Sequence, residues 1–204
     1  MQPGNINSPL QHETSPNRLI VGITGASGAI LGIRLLQVLK STPIETHLIL
    51  SKSAALTITQ ETDWLVEQVL SLADVTYEFT DIAASIASGS FLSLGMVVIP
   101  CSIKTLSAVA NSYSDDLLSR AADVTLKEGR PLILVVRETP YHAGHLRLMS
   151  KAAAAGAVIF PPVPAYYIRP QSIDELINNT VGRVLARIGI QNDLFQEWQG
   201  QSHP

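Results

Sequence analysis

Short apolar runs alternate with amphipathic segments along most of the chain. Leu19–Thr24 is a continuous apolar run that ends at Gly25, as expected of a parallel strand buried on both faces. Apolar residues then recur at helical spacing over Ala29–Lys40, which predicts an amphipathic helix. The same alternation predicts further strands at Thr46–Leu50, Met96–Ile99, Leu132–Val136 and Val158–Phe160, and further helices at Ala54–Glu61, Trp64–Leu72, Leu117–Lys127 and His145–Ala155.

The last predicted helix has the clearest start, because Ser172 and Glu175 form a capping-box pattern there. Strands that alternate with helices predict an α/β protein. We expect a Rossmann-like or flavodoxin-like three-layer sandwich with a central parallel sheet. A single domain is predicted over residues 18–190, with a flexible N-terminal tail at 1–17 and a C-terminal tail at 191–204.

Composition narrows the classes of function. The chain has 204 residues, of which 46% are hydrophobic and 15% charged, so one domain can bury a substantial core. Its formal charge of −3 argues against a nucleic-acid surface, which usually needs a dense basic face. Cys101 is the only cysteine, and no uninterrupted apolar run reaches membrane-spanning length. We therefore expect a cytoplasmic protein that binds neither nucleic acid nor membrane.

Two loops at the carboxyl ends of predicted strands offer groups that bind phosphate. Thr24–Ala29 (TGASGA) opens the first helix, where free N–H groups and the helix dipole favour an anion, although a simple tight turn is an equally good explanation. Pro100–Leu106 (PCSIKTL) contributes hydroxyls and a lysine, with an ordinary βα loop as the alternative. Ser51 also follows a strand, where serine is often only a helix cap. Because such strand ends meet at one crevice, the loops together favour a nucleotide site.

Charged side chains extend this picture. Arg137 and Glu138 directly follow a predicted strand, which brings a guanidinium and a carboxylate to the same edge. Arg120 and Lys127 are seven residues apart on one helix face, for which a solvated face is the usual explanation. Arg183 lies at the edge of the apolar stripe of the last helix; an arginine stem laid along apolar surface is the ordinary alternative to a binding role.

Metal ligands are not expected. His142 and His145 are close in sequence, but no accompanying pattern of cysteines or carboxylates supports a metal site. A phosphate bound here would be neutralised by arginine and lysine side chains instead.

Eight motifs occur in order from Arg18 to Gly189. They are TGASGA at Thr24–Ala29, SKSA at Ser51–Ala54, ETD at Glu61–Asp63, ASGS at Ala87–Ser90, PCSIKTL at Pro100–Leu106, RAADVTLKE at Arg120–Glu128, RETP at Arg137–Pro140 and PPVPAYY at Pro161–Tyr167. The set resembles the UbiX-type flavin prenyltransferases, within the wider group of flavin-containing cysteine-decarboxylase-like proteins. Chance agreement of this extent is very improbable.

The resemblance implies a metal-independent reaction. It joins a dimethylallyl group from dimethylallyl monophosphate to N5 and C6 of reduced FMN, giving prenylated FMN for a partner UbiD-type decarboxylase. Flavin contacts are implied for Gly25, Ala26, Ser27, Ser51, Ser102, Ile103, Lys104, Thr105 and Arg137. Prenyl-phosphate contacts are implied for Tyr167 and Arg183, together with Arg120 and Lys127 from a neighbouring subunit. The implied catalytic residues are Ser27, Glu61, Lys127 and Glu138.

The resemblance also implies a homo-oligomer, such as a dodecamer, with sites at subunit interfaces.

Two alternative functions stay open. A flavin-dependent cysteine decarboxylase shares the fold, but such relatives carry an asparagine-centred PASANT-like segment in place of PCSIKTL. A noncatalytic FMN-binding subunit has no need to keep Glu61, Lys127, Glu138 and Arg183 together. One departure concerns Ile82, where some relatives carry a tryptophan near the prenyl tail.

Overall fold

A six-stranded parallel sheet forms the centre of the computed structural model, which describes residues 17–198 and 200. In chain order the strands are β1 (Arg18–Ile23), β2 (Glu45–Leu50), β3 (Val75–Tyr77), β4 (Gly95–Cys101), β5 (Leu132–Val136) and β6 (Val158–Ile159). Their spatial order is β3-β2-β1-β4-β5-β6. The chain therefore changes direction across the sheet between β1 and β4, which defines a topological switch point.

Helices cover both faces of this sheet. They are α1 (Ala29–Leu39), α2 (Lys52–Glu61), α3 (Val66–Leu70), α4 (Ile103–Ala110), α5 (Leu117–Lys127), α6 (Ala143–Ala154) and α7 (Ile173–Arg187). Short 3-10 helices lie at Ser85–Ala87 and Tyr166–Ile168. One core packs α1, α2 and α7 on one face, and a second packs α4, α5 and α6 on the other. The three-layer α/β architecture predicted from the alternating pattern is confirmed.

Local details differ from the predicted elements. A helix, α4, forms where only a loop was predicted, because Ser102 accepts a hydrogen bond from the backbone N–H of Thr105 and caps its first turn. The edge strand β3 was not predicted; it has only three residues and no buried position. At the start of α7, Ser172 accepts from the N–H of Glu175 as predicted. The Glu175 carboxylate accepts from the N–H of Gln171, however, so the predicted reciprocal capping bond is wrong by one residue.

The chain ends assigned to tails are described only in part. Residues 1–16 of the predicted N-terminal tail and residues 199 and 201–204 lie outside the described residues. The remainder of the predicted C-terminal tail, 191–198, turns back along α7, and Leu194 packs against the core on that side. Within 17–198, none of the helices combines the length and apolar character needed to cross a membrane.

Candidate active site

A cavity of about 310 Å³ opens at the carboxyl ends of β1, β2 and β4, beside the switch point. It brings together five of the residues predicted to contact flavin, from three separate loops: Gly25, Ser51, Ser102, Lys104 and Thr105. Ligands of open α/β sheets bind at this position because the loops on either side of the switch point diverge and leave a crevice. We call this space the first cavity.

Serines cap two of the helices that begin at the first cavity. The Ser51 hydroxyl accepts from the N–H of Ala54 at 3.1 Å, and the Ser102 hydroxyl accepts from the N–H of Thr105 at 3.3 Å, so the two serines are the N-caps of α2 and α4. The other N–H groups of each first turn have no partner within the helix, and the helix dipole adds positive potential. With the Lys104 side chain in the same wall, this end of the cavity is suited to a phosphate.

Thr24 joins the two main loops of the site, a role that the sequence did not reveal. Its hydroxyl donates to the carbonyl of Pro100 at 2.7 Å and accepts from the N–H of Ser102 at 2.8 Å. The side chain is 2% exposed. The loop after β1 and the loop after β4 are therefore held in one fixed relation, which pre-organises the first cavity before any ligand binds.

Gly25 is required by a close approach. A Cβ at this position would lie 2.2 Å from the Cβ of Ser53, which is much shorter than a non-bonded contact between two carbon atoms. Any side chain here would push the α2 N-terminus away from the loop after β1. The glycine thus keeps the two walls of the first cavity together.

A second cavity of about 270 Å³ lies beside α1 and α7. Its polar contributors include Ser27 and Arg137, both predicted site residues, while most of the other walls are apolar: Ile30, Leu31, Pro162, Pro164, Ile173, Leu176 and Ile177. The PPVPAYY loop and the last helix thus meet the glycine loop after β1, although the three are far apart in sequence. An apolar space with a hydroxyl and a guanidinium at its edge suits a hydrocarbon group that carries a phosphate.

Glu61 reaches across from the end of α2 to the start of α1. Its Oε2 accepts from the N–H of Gly28 at 2.7 Å and from the N–H of Ala29 at 3.3 Å, which caps α1 from a distance of more than thirty residues in sequence. Burial acts to raise the pKa of Glu61, but hydrogen bonds from the Ser27 hydroxyl and these two N–H groups, with the charge of Arg137, outweigh it and lower the pKa below its ordinary value. The carboxylate is therefore ionised beside Ser27 at neutral pH.

The segment after β5 supplies a second carboxylate. Arg137 donates its backbone N–H to the carbonyl of Cys101, which continues the pairing of β4 and β5 into the site. Glu138 is half-buried, and its side chain accepts from the N–H of Thr139 at 2.9 Å. Cys101 is fully buried and burial raises its thiol pKa far above the ordinary value, so this cysteine is not a nucleophile at neutral pH.

Neither Tyr167 nor Arg183 is among the residues that line the second cavity. Arg183 follows the lining residue Thr180 by three positions on α7, so both share one side of the helix, and its guanidinium lies 5.6 Å from the Phe160 ring centroid. Tyr167 is 53% exposed, and its ring meets the Trp198 ring edge-on, with the centroids 5.6 Å apart. Tyr167 precedes α7 in the sequence and Trp198 follows it.

Arg120 lies next to the wall of the first cavity, whereas Lys127 lies at the other end of the same helix. α5 starts at the first cavity, where Asp116 and Ser119 form part of the wall. Arg120 is one residue further on and forms an ion pair with Asp123 at 3.5 Å. Lys127 ends the helix eight residues beyond Ser119, about 12 Å from the cavity wall at a rise of about 1.5 Å per residue, and pairs with Glu128. Within one chain, Lys127 therefore does not reach the site.

Ile82, His142 and His145 lie outside the linings of both cavities. Ile82, where some relatives carry tryptophan, is 59% exposed. The rings of His142 and His145 lie against each other, and His142 accepts from the N–H of Gly144 to cap α6. In the described part of the chain, no three His, Cys, Asp or Glu side chains are grouped so as to hold a metal ion.

The fold and the paired cavities define a nucleotide-binding α/β protein with an apolar pocket next to its phosphate site. Residues 7–184 match the family described as Flavoprotein. Flavin prenyltransferase UbiX of Escherichia coli (strain K12) is 64% identical over 186 residues, which cover 90% of this chain and 98% of that protein. The chain therefore belongs to the Flavoprotein family and, within it, to the UbiX-type flavin prenyltransferases.

Solved structures agree. The crystal structure of AnUbiX (PadA1) in complex with FMN and dimethylallyl pyrophosphate has a TM-score of 0.90 at 49% identity, covering 92% of this chain and all of that one. A dodecameric FMN-dependent UbiX-like decarboxylase from Escherichia coli O157:H7 has a TM-score of 0.88 at 47% identity, covering 90% of this chain and 100% of that one. The family predicted from the eight motifs is confirmed.

Proposed function

We propose that the chain is a flavin prenyltransferase that joins the dimethylallyl group of dimethylallyl monophosphate to N5 and C6 of reduced FMN. The observation that carries the proposal is the pairing of the two cavities. The first offers helix N-termini, hydroxyls and a lysine to a phosphate, and the second offers an apolar space edged by Ser27 and Arg137. Binding of FMN and dimethylallyl pyrophosphate by AnUbiX, at 49% identity, supports the same pair of ligands here.

FMN fits the first cavity by the chemistry of its walls. Ser51, Ser102, Lys104 and Thr105 would hold the ribityl phosphate, while Gly25, Ala26 and Ser27, with Ile103 and Arg137, would contact the rest of the flavin. When bound in reduced form, FMN supplies the two ring positions to which the dimethylallyl carbons become attached. A monophosphate suffices for this cradle, so we propose FMN rather than a dinucleotide as the flavin.

The chain's cations act on the prenyl donor. Transfer breaks the allylic C–O bond, and the phosphate leaves with the electron pair, so negative charge grows on it in the transition state. Arg183 and the Tyr167 hydroxyl would bind this phosphate by charge-assisted hydrogen bonds, with Arg120 and Lys127 added by a neighbouring subunit. These groups act on the leaving charge directly, and we propose that no metal ion is needed.

Ser27 and Glu61 would take the protons that leave N5 and C6. One proton would return to C2 of the prenyl group, whose double bond is consumed by the bond to C6, and the other would leave with the phosphate. The Ser27 hydroxyl lies close enough to the ionised Glu61 to lower its pKa, so a proton could pass through the serine to the carboxylate. Because its pKa is lowered, Glu61 would accept protons only from strongly acidic donors. Glu138 would provide the second carboxylate of the site, and Lys127 would assist from the partner subunit.

We propose a homo-oligomer, such as a dodecamer, in which sites form between subunits. The position of Lys127 at the far end of α5 supports this, because a residue of the phosphate pocket there can serve only another subunit's site. Mixing inactive Lys127→Ala with inactive Ser27→Ala after mild dissociation tests it, since shared sites regain activity in mixed oligomers. Recovery no greater than in either variant alone would refute shared sites.

The proposal also covers the extent of the catalytic domain, the recipient of the product and the cellular compartment. Residues 18–190 form the catalytic domain. The prenylated FMN serves a partner decarboxylase of the UbiD type. The protein acts in the cytoplasm, which is supported by a single cysteine that is buried and unsuited to disulfide exchange.

The decisive experiment is anaerobic incubation of the protein with reduced FMN and dimethylallyl monophosphate in EDTA, followed by mass analysis of the flavin. We expect a product heavier by one isoprene unit, made without magnesium. Dimethylallyl diphosphate and FAD are the matched alternatives for donor and acceptor. Unmodified FMN, or a product formed only after magnesium is restored, would overturn the proposal.

A further inference from the structure

The segment after α7 is attached to the middle of that helix by one side chain. Asn192 donates from Nδ2 to the carbonyl of Gly182 at 3.0 Å and to the carbonyl of Ile190 at 3.2 Å. Its Oδ1 accepts from the N–H of Leu194 at 3.1 Å. The same amide therefore forms the turn and ties it to α7, one residue before Arg183.

A glycine on α7 makes this attachment possible. A Cβ at Gly182 would lie 2.7 Å from Asn192 Oδ1, 2.8 Å from the Cβ of Leu194 and 3.0 Å from Cδ1 of Phe195. Glycine inside a helix costs about 1 kcal/mol relative to alanine, so local propensity does not favour it here. The close passage of the C-terminal segment explains its presence.

The segment continues to the second phosphate residue. Six residues after Asn192, the Trp198 ring meets the Tyr167 ring edge-on at 5.6 Å between centroids. Residues 190–198 thus touch the helix beside Arg183 at one end and Tyr167 at the other. Tyr167 lies in a short 3-10 helix and is half-exposed, so few other contacts define the direction of its hydroxyl.

We propose that residues 190–198 are a clamp that holds Tyr167 and Arg183 in the arrangement that binds the prenyl phosphate, with Asn192 and Gly182 as its positioning residues. This inference rests on the proposed function. When the Tyr167 and Arg183 side chains are already held in place, they lose less conformational freedom as the phosphate binds. The clamp therefore raises affinity for the prenyl donor. The walls of the first cavity come from other loops, so FMN affinity does not depend on the clamp.

Asn192→Asp is the sharpest variant. Aspartate keeps the Oδ1 acceptor for the N–H of Leu194 but lacks the donor to the Gly182 carbonyl. Loss of the Nδ2 hydrogen bonds, with a carboxylate oxygen placed against the Gly182 and Ile190 carbonyls instead, corresponds to about a tenfold change in an equilibrium constant. We expect KM and Kd for dimethylallyl monophosphate to rise about tenfold, while kcat and FMN affinity stay within about twofold.

Gly182→Ala and Glu197→Gln complete the set. Alanine at 182 favours the helix yet displaces the segment, so it should reproduce the loss of donor affinity without weakening α7. Glu197 is exposed in the same segment. Its change to glutamine removes one negative charge, whereas Asn192→Asp adds one, so the two variants alter the charge of the segment by the same amount in opposite directions. This control should leave both affinities unchanged.

Trp198 provides a direct readout of the clamp. The chain has two tryptophans, so Trp64→Phe leaves Trp198 as the only one. In that background, Asn192→Asp should shift Trp198 emission to longer wavelength and increase its quenching by acrylamide. The clamp is refuted if donor affinity and Trp198 emission match those of the parent, or if FMN affinity falls in step with donor affinity. If the wild type yields no prenylated flavin, the proposed function fails, and donor titration of Trp198 fluorescence alone judges the clamp, with no response refuting it.

Discussion

Replacing Glu61 with glutamine separates the charge of this side chain from its shape. Glutamine keeps an oxygen that can accept from the N–H groups of Gly28 and Ala29, but it is neutral and cannot take a proton. Hydrogen bonds to charged groups contribute about 1.5–3 kcal/mol against about 0.5–1.5 for neutral ones. Because Glu61 is largely exposed, solvent screens the difference, and we expect the variant to be destabilised by only about 0.5–1 kcal/mol.

The effect on rate should be much larger than the effect on stability. Loss of a positioned proton acceptor typically slows a step about 10²–10⁴-fold, so Glu61→Gln should bind FMN normally yet form the fourth ring slowly. Anaerobic single-turnover reactions, quenched at intervals and analysed by mass spectrometry, measure this. Wild-type rates would show that another group takes the proton. A loss of rate matched by an equal loss of FMN affinity would show that the residue serves the fold instead.

The pH dependence gives an independent check. The pKa of Glu61 is lowered from its ordinary value of 4.5, so its ionised form stabilises the folded state fully above that pH. This contribution is lost as pH falls from about 4.5 through the folded-state pKa. The stability difference between wild type and Glu61→Gln, measured by urea unfolding, should therefore be constant near neutrality and shrink in acid. A difference independent of pH would refute the assigned charge interaction.

Two other perturbations test separate parts of the site, and a third tests His47, a buried histidine on β2 outside the site. Gly25→Ala should abolish FMN binding, because its Cβ would collide with Ser53; calorimetric affinity within about threefold of wild type would contradict this. Arg183→Ala should weaken dimethylallyl monophosphate binding by about 2 kcal/mol, roughly thirtyfold, with FMN affinity unchanged and lysine restoring only part; equal donor affinity would rule out the role. Burial lowers the pKa of His47 below 6.5, so stability should fall as pH drops from about 6.5, and His47→Gln should flatten that dependence in urea titrations; an unchanged slope would refute it.

Much of the site could be predicted because its parts sit at strand ends. Gly25, Ser51 and Ser102 each follow an apolar run, and parallel strands carry their carboxyl ends to one edge, so a shared crevice follows from the pattern alone. Arg137 was predicted at the same edge because it follows a strand, and the resemblance to the UbiX-type family added Glu61, which the structure brings next to Ser27. The roles of all these residues remain predictions.

Contacts across long stretches of sequence could not be predicted. The Thr24 hydroxyl donates to the carbonyl of Pro100 at the end of β4, seventy-six residues away, and no periodicity marks this contact. The helix α4 was missed because its amphipathic pattern covers only eight residues, while the serine that caps it looked like a loop residue.

The amino-acid sequence by itself determined the layer architecture, the parallel sheet and the edge at which ligands bind, because hydrophobic period and turn chemistry are local properties. Tertiary structure decided which distant groups touch: Glu61 on the start of α1, and Asn192 on Gly182. Such contacts depend on distances of closest approach between packed elements, which no local pattern encodes. Lys127 lies at the end of α5 far from the first cavity, so its proposed place in a phosphate pocket requires a neighbouring subunit.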